Sequence, residues 1–130
     1  MLKETITYVD YNDTEVTGTF FFNLNQAEIV EMELSKQGGL AETIKRLVET
    51  KDMPAIIQIF KDLILKAYGE KSADGKYFRK EDENGYKLYK NFEQSPAYPV
   101  LFMKLATDAD AAARFVNGIV PANMANPANK

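Results

Sequence analysis

The stretch MLKETITYVDYNDTEVTGTFFF, residues 1–22, decides the fold. Over residues 3 to 11 side chains alternate, with Thr5, Thr7 and Val9 on one face and Ile6, Tyr8 and Asp10 on the other. Period-two alternation of β-branched and aromatic residues reads as a half-buried strand. Asn12-Asp13 reads as a turn, and a second strand is expected from Glu15 to Phe22, closing on the apolar run Phe20-Phe21-Phe22. Two strands are marginal alone in water, so one face of this hairpin must pack on something helical.

Downstream the period changes to that of helices. Asn25 followed by Glu28 fits a capping box, and a helix is predicted from Gln26 to about Lys36, stopped by Gly38-Gly39. A second is expected from Leu40 to about Thr50, with Leu40, Ala41, Ile44, Leu47 and Val48 inward and Glu42, Lys45, Arg46 and Glu49 outward. Met53-Pro54 opens a third, ending at Tyr68-Gly69. Its apolar residues, among them Ile56, Phe60, Leu63 and Ile64, cover more than half its circumference, so it is expected at the centre of the core. After a polar middle section, a short helix is predicted around Tyr86 to Phe92, another from Ser95-Pro96 to about Ala106, and a last one capped by Thr107 and ended by Asn117-Gly118. The fold class is therefore α+β, an N-terminal β-hairpin packed on about five or six helices. One globular domain is expected over residues 1–120, with a flexible tail over 121–130.

Length and composition agree. A chain of 130 residues is one ordinary domain, able to bury roughly two-thirds of its unfolded surface without a metal or disulfide. Apolar residues make up 45% and charged residues 27%, the balance of a globular protein. The net charge of −3, without a basic block, argues against nucleic acid or an anionic membrane as partner. There is no Cys and no His. Thiol nucleophiles, imidazole bases, Ser-His-Asp triads and zinc sites with nitrogen or sulfur ligands are thereby excluded. The N-terminus lacks the apolar segment of a signal peptide, and no run reaches the length of a membrane span. Function is expected in contacts rather than chemistry: no catalytic residue, no metal, no cofactor.

Residues 70–81 resemble an incomplete EF-hand loop, with Glu70, Ser72, Asp74, Gly75 and Glu81 at positions 1, 3, 5, 6 and 12. Position 1 is Glu where the shorter Asp is needed, and position 9 is Phe78. The stretch reads better as a turn that sets Tyr77-Phe78 against the core. Asp108 and Asp110 read as first-turn carboxylates that favour a helix N-terminus.

Interaction surface is the stronger lead. At 100° per residue the first helix carries two apolar stripes: Ala27, Val30 and Leu34 on one side, Ile29 and Met32 on the other. The helix after Ser95 repeats this, with Tyr98, Leu101, Phe102 and Leu105 on one face and Val100 and Met103 on the other. One stripe serves the core, and the second is left for a neighbour or a partner. Methionine suits a surface that adapts to its partner. Ile29, Met32, Val100 and Met103 are the expected partner-binding residues, with Leu65, Tyr77 and Phe78 next in line.

An ordered set of residues carries a family resemblance: Tyr68-Gly69, Ser72, Asp74-Gly75, Phe78 and Lys80, then Phe92, Ser95, Ala97-Tyr98, Leu101-Phe102, Leu105, Thr107-Asp108, Ala112, Phe115, Gly118 and Pro121. Together with the N-terminal hairpin and the Leu34 to Gly39 stretch, the chain resembles the tail assembly chaperones of long-tailed phages and prophages of Gram-positive bacteria. Glu81 to Lys90 departs from the family pattern in being longer and more charged. The resemblance implies a non-enzymatic protein of the host bacterial cytoplasm. Its implied partners are the helical tape-measure protein and the major tail protein; a homo-oligomer is the other occupant expected for the spare apolar stripes. Two other roles stay open on the residues alone: a structural virion component such as a head–tail connector or tail-completion protein, and a small phage regulator binding a host protein.

Overall fold

The computed structural model describes residues 1–31 and 52–121, together with Arg46 and Glu49. The expected stop at Gly38-Gly39, most of the helix from Leu40 to Thr50, Met32 and the tail beyond Pro121 lie outside the described residues. Arg46 and Glu49 have helical backbone and exposed side chains, as predicted for the outer face of that helix.

Strands β1 (Leu2–Val9) and β2 (Glu15–Phe22) form the expected antiparallel hairpin, in a register that sets Leu2 opposite Phe22 and Val9 opposite Glu15. Asp10 organises the connection: its carboxylate accepts from the N–H groups of Asn12 and Thr14, and Asp13 takes φ 60°. Even-numbered residues of both strands face the helices, and Ile6 and Phe22 are buried. Gly18, opposite Ile6, leaves room for the Phe20 ring to lean toward Tyr8, with ring centres 6.4 Å apart.

Helix α1 (Gln26–Glu31) starts with the predicted capping box, Glu28 N–H donating to Asn25 Oδ1 at 2.8 Å and Asn25 N–H to Glu28 Oε1 at 3.0 Å. Helix α2 (Met53–Ala67) is capped by Asp52 and begins with Pro54 in its first turn. Ile56, Phe60, Leu63 and Ile64 are buried on it, as expected of the central helix, while Ile57 stays exposed.

The sheet has two strands that the sequence reading did not anticipate. Helix α2 stops at Ala67, and Tyr68 turns extended (φ −61°, ψ 140°) into strand β3 (Tyr68–Lys71), which pairs with β2 through Phe21–Gly69 and Phe22–Tyr68. Strand β4 (Phe78–Arg79) pairs back onto β3, giving an antiparallel sheet in the order β1-β2-β3-β4. Gly69 therefore acts through space rather than as a helix stop. The Phe78 ring lies over it so closely that a Cβ there would stand 2.5 Å from the ring and 2.9 Å from the Arg79 carbonyl oxygen.

After a turn in which Asp82 Oδ1 accepts from the N–H groups of Asn84 and Tyr86, helix α3 is confined to Tyr89–Glu93. Helix α4 spans Ala97–Thr107 and α5 spans Ala109–Ile119. The last cap is Asp108, whose carboxylate accepts from the N–H groups of Asp110 and Ala111, rather than Thr107, whose hydroxyl donates back to the Met103 carbonyl. Nor does Gly118 end the helix. It admits Leu2 of β1, whose Cδ1 would stand 2.8 Å from a Cβ at that position. The described chain is thus the expected α+β fold, a hairpin-led sheet with five described helices.

Aromatic rings join these layers. Phe92 on α3 stacks on Tyr68 at 4.9 Å and meets Phe20, Phe22 and Tyr98 at 5.1, 5.5 and 5.9 Å. Phe22 also meets Phe115 of α5 at 5.4 Å. Such pairs add to simple burial because ring edges and faces carry opposite partial charge.

Candidate interaction surfaces

Helix α4 divides cleanly. Ala97, Leu101 and Leu105, four residues apart, are buried, and Tyr98 and Phe102 pack beside them against the core. Val100 and Met103, three residues apart on the opposite side, are 43% and 56% exposed. Lys104 flanks them and reaches Glu4 of β1 at 3.8 Å. The result is a small apolar strip on a helix already anchored by its other face.

Helix α1 reverses the expected assignment. Ile29 is in the core at 2% exposure, whereas Val30 is 58% exposed and Ala27 is also exposed. The chain enters α1 from Leu24, fully buried, with Leu24 N–H donating to the Ile119 carbonyl at 2.6 Å. That entry rotates Ile29 inward and Val30 outward. The exposed apolar side chains described on this helix are Ala27 and Val30, and Ile29, expected at a partner surface, belongs to the core.

The β3–β4 turn is built on local hydrogen bonds. Asp74 Oδ1 accepts from the Lys76 N–H and from the Ser72 hydroxyl, and Ser72 Oγ in turn accepts from the Tyr77 N–H. The Lys76 N–H bond, aided by the Ser72 hydroxyl, holds the Asp74 carboxyl below its ordinary range. Gly75 supplies the positive φ of 76°. Glu81 pairs with Lys87 rather than turning toward the loop. Of the aromatic pair, both expected against the core, Phe78 is half-buried over Gly69 at the edge of the sheet, and Tyr77 points outward at 60% exposure with the Arg79 guanidinium 5.2 Å from its ring centre.

Leu65 is half-buried and lines a groove of about 560 Å³ with Glu28, Asp62, Lys66, Tyr68, Lys80, Lys87 and Tyr89. None of the other described candidates lines it. Its organising residue, Lys80, belongs to the set that carries the family resemblance but has no local pattern that predicts its contacts. Its ammonium donates to the carbonyls of Asn23 at 3.0 Å and Lys66 at 2.5 Å, and pairs with Glu28 Oε2 at 3.0 Å. Burial pushes its pKa below the usual lysine value, and the Glu28 carboxylate partly offsets this. Three donors meet three acceptors, so Lys80 ties α1, α2 and β4 together and has no donor left for chemistry. Among the described residues no three Asp or Glu side chains gather where they would hold a metal ion, and no helix is long and apolar enough to cross a membrane.

A family model for phage tail assembly chaperones matches residues 1–130, the whole chain. The chain belongs to the phage tail assembly chaperone family. No curated protein and no solved structure matches it. The match runs through Glu81 to Lys90, the charged stretch that departs from the expected family pattern. Membership is consistent with surfaces that bind rather than react, and it implies protein partners in tail assembly.

Proposed function

We propose that this chain binds an apolar helical segment of the tape-measure protein during phage tail assembly, keeps it soluble and helps bring tail-tube subunits to it, without catalysis. The whole-chain match to the tail assembly chaperone family carries the reading. The strip of Val100 and Met103 supports it: two apolar side chains on one face of a helix held by Leu101 and Leu105 suit a helix-in-groove contact. Val30 on α1 is a second exposed apolar position. The place of action is the cytoplasm of the host bacterium, and the resemblance extends the proposal to a Gram-positive host.

Co-expression with the tape-measure gene from the same phage tests this reading. The tape-measure protein should be recovered in the soluble fraction and co-purify with the tagged chain. Tape-measure protein that remains insoluble with the chain present, or soluble without it, contradicts the proposal. A virion role would place the chain in purified particles at stoichiometric level, where a chaperone should be absent.

A further inference from the structure

The outer edge of β1 carries a row of hydrogen-bonding groups that nothing among the described residues meets. The phase of the ladder follows from its ends. Asp10 N–H donates to the Thr14 carbonyl at 2.9 Å, and these two residues continue the β1–β2 register. In an antiparallel ladder hydrogen-bonded positions recur every second residue. Leu2, Glu4, Ile6 and Tyr8 therefore direct their backbone groups toward β2. On β2, Asn23 N–H donates to the Ala67 carbonyl on the β3 side, which fixes the same phase from the other strand. Lys3, Thr5, Thr7 and Val9 are left with N–H and C=O groups aimed out of the sheet.

Such an edge invites another strand, and proteins usually blunt it with proline, a bulge, a short strand or several charges. Strand β1 is eight residues long, pairs with β2 without interruption, and contains neither Pro nor Gly. Its one charge on the solvent face is Lys3.

We infer that β1 pairs antiparallel with β1 of a second copy about a two-fold axis through Ile6, joining two sheets into one. Charge selects this register. Centring on Glu4 sets two carboxylates face to face, and centring on Thr7 sets Glu4 against Asp10 of the partner subunit. Centring on Lys3 opposes two lysines, and centring on Thr5 leaves Lys3 opposite the partner's Thr7. Centred on Ile6, Thr5 meets the partner's Thr7 and Lys3 meets the partner's Val9. Val9 is itself paired with Glu15. Lys3 and the partner's Glu15 then stand two strands apart on the same solvent face, about 9–10 Å between backbones, within reach of two extended side chains. The two-fold repeats that ion pair at the other end, and about eight backbone hydrogen bonds form between them. The Lys3 stem also covers Val9, which is 56% exposed in the single chain. The interface uses neither Val100 nor Met103, so it goes beyond the proposed chaperone contact and leaves that strip free.

Sedimentation of the full chain across a concentration series tests the inference. The parent should approach twice its 14.7 kDa mass. The Thr7→Pro variant removes an N–H that serves no internal ladder bond, so it should keep the parent's circular dichroism and sediment as a single chain. Lys3→Glu should weaken the dimer about tenfold, and Glu15→Lys added to it should restore the affinity. Within one chain Lys3 lies opposite Phe21, far along the hairpin from Glu15, so this rescue reports only a contact between copies. A parent that stays monomeric at its highest soluble concentration overturns the proposal, whether its edge is covered by its own chain or kept for another protein. So does a dimer indifferent to both Thr7→Pro and Lys3→Glu, or one that the Glu15→Lys addition fails to restore. Should Thr7→Pro fail to fold, the charge exchange decides alone.

Discussion

Replacing Lys80 by Met should destabilise the chain by about 2 kcal/mol and loosen the start of α1. The substitution keeps the length of the side chain and removes the ammonium. Two carbonyls, of Asn23 and Lys66, then lose a charged donor, and the Glu28 carboxylate, whose side chain is 15% exposed, loses its counter-ion. Breaking one side of a fully buried pair costs about 3–5 kcal/mol. Here the groove admits water to the orphaned acceptors, which lowers the cost. Removing the desolvated ammonium itself, whose burial already depresses its pKa, lowers it further. About 2 kcal/mol in a chain of this length corresponds to a fall of roughly 6–8 °C in Tm. Calorimetry gives the shift, and hydrogen exchange at the amides of Ile29 and its helical neighbours gives its location. A double variant with Glu28→Gln should fall short of the summed single effects by about 1 kcal/mol, since the two groups share one contact. The folded-state pKa of Lys80 lies below the ordinary 10.5. Between those two values the unfolded chain holds more protons, so the parent gains stability relative to Lys80→Met as pH rises through that window. A Lys80→Met protein melting within about 2 °C of the parent, with unchanged exchange in α1, would refute the assignment of Lys80 as the tie between α1, α2 and β4.

Phe60→Ala, at a position 2% exposed on the central helix, should cost about 3–5 kcal/mol in denaturant unfolding; a loss below about 1 kcal/mol would remove α2 from the centre of the core. Gly69→Ala should cost about 1–3 kcal/mol, because the new methyl meets the Phe78 ring and the less yielding Arg79 carbonyl, and unchanged stability would mean that β4 does not close over Gly69. In an alkaline titration followed by phenolate absorbance, Tyr68 and Tyr98 should ionise above the ordinary value of 10.0, the first held back by burial and then Glu70, the second by burial and then Glu93 and Asp62. Their neutral forms favour the fold, so that contribution is complete below pH 10.0 and is lost as pH rises through the raised values; seven tyrosines titrating together at the ordinary value in the folded chain would contradict their burial.

The parts of the fold legible in the sequence are those governed by local periodicity and caps. Alternation from Lys3 to Asp10 gave the hairpin, Asn25 with Glu28 the capping box, and the spacing of Ile56, Phe60, Leu63 and Ile64 the central helix. Strand β3 was hidden because Tyr68-Gly69 carries the local signature of a helix end, while its pairing with Phe21 and Phe22 spans more than forty residues of sequence. Strand β4, two residues long, has no alternation to read. The two stripes predicted for the first helix are both apolar in sequence, so only the buried entry at Leu24 decides that Ile29 turns inward. Lys80, one of the residues that carry the family resemblance, gave no local signal of its contacts for the same reason as β3: its backbone acceptors lie 57 and 14 residues away. On α4, by contrast, the exposed stripe was legible, because Tyr98, Leu101, Phe102 and Leu105 already complete a face that packs on the core.

The most direct test of the chaperone account is the soluble yield of tape-measure protein co-expressed with the Met103→Lys variant, beside the parent chain. Met103 is solvent-facing, so the substitution should change stability by less than about 0.5 kcal/mol. Set into an apolar contact, the unpaired ammonium is costly. The account predicts a variant with the parent's circular dichroism and melting curve, and tape-measure recovery reduced about tenfold or more. A folded Met103→Lys chain that solubilises the tape-measure protein as well as the parent would contradict the assignment of the Val100–Met103 strip as its binding surface.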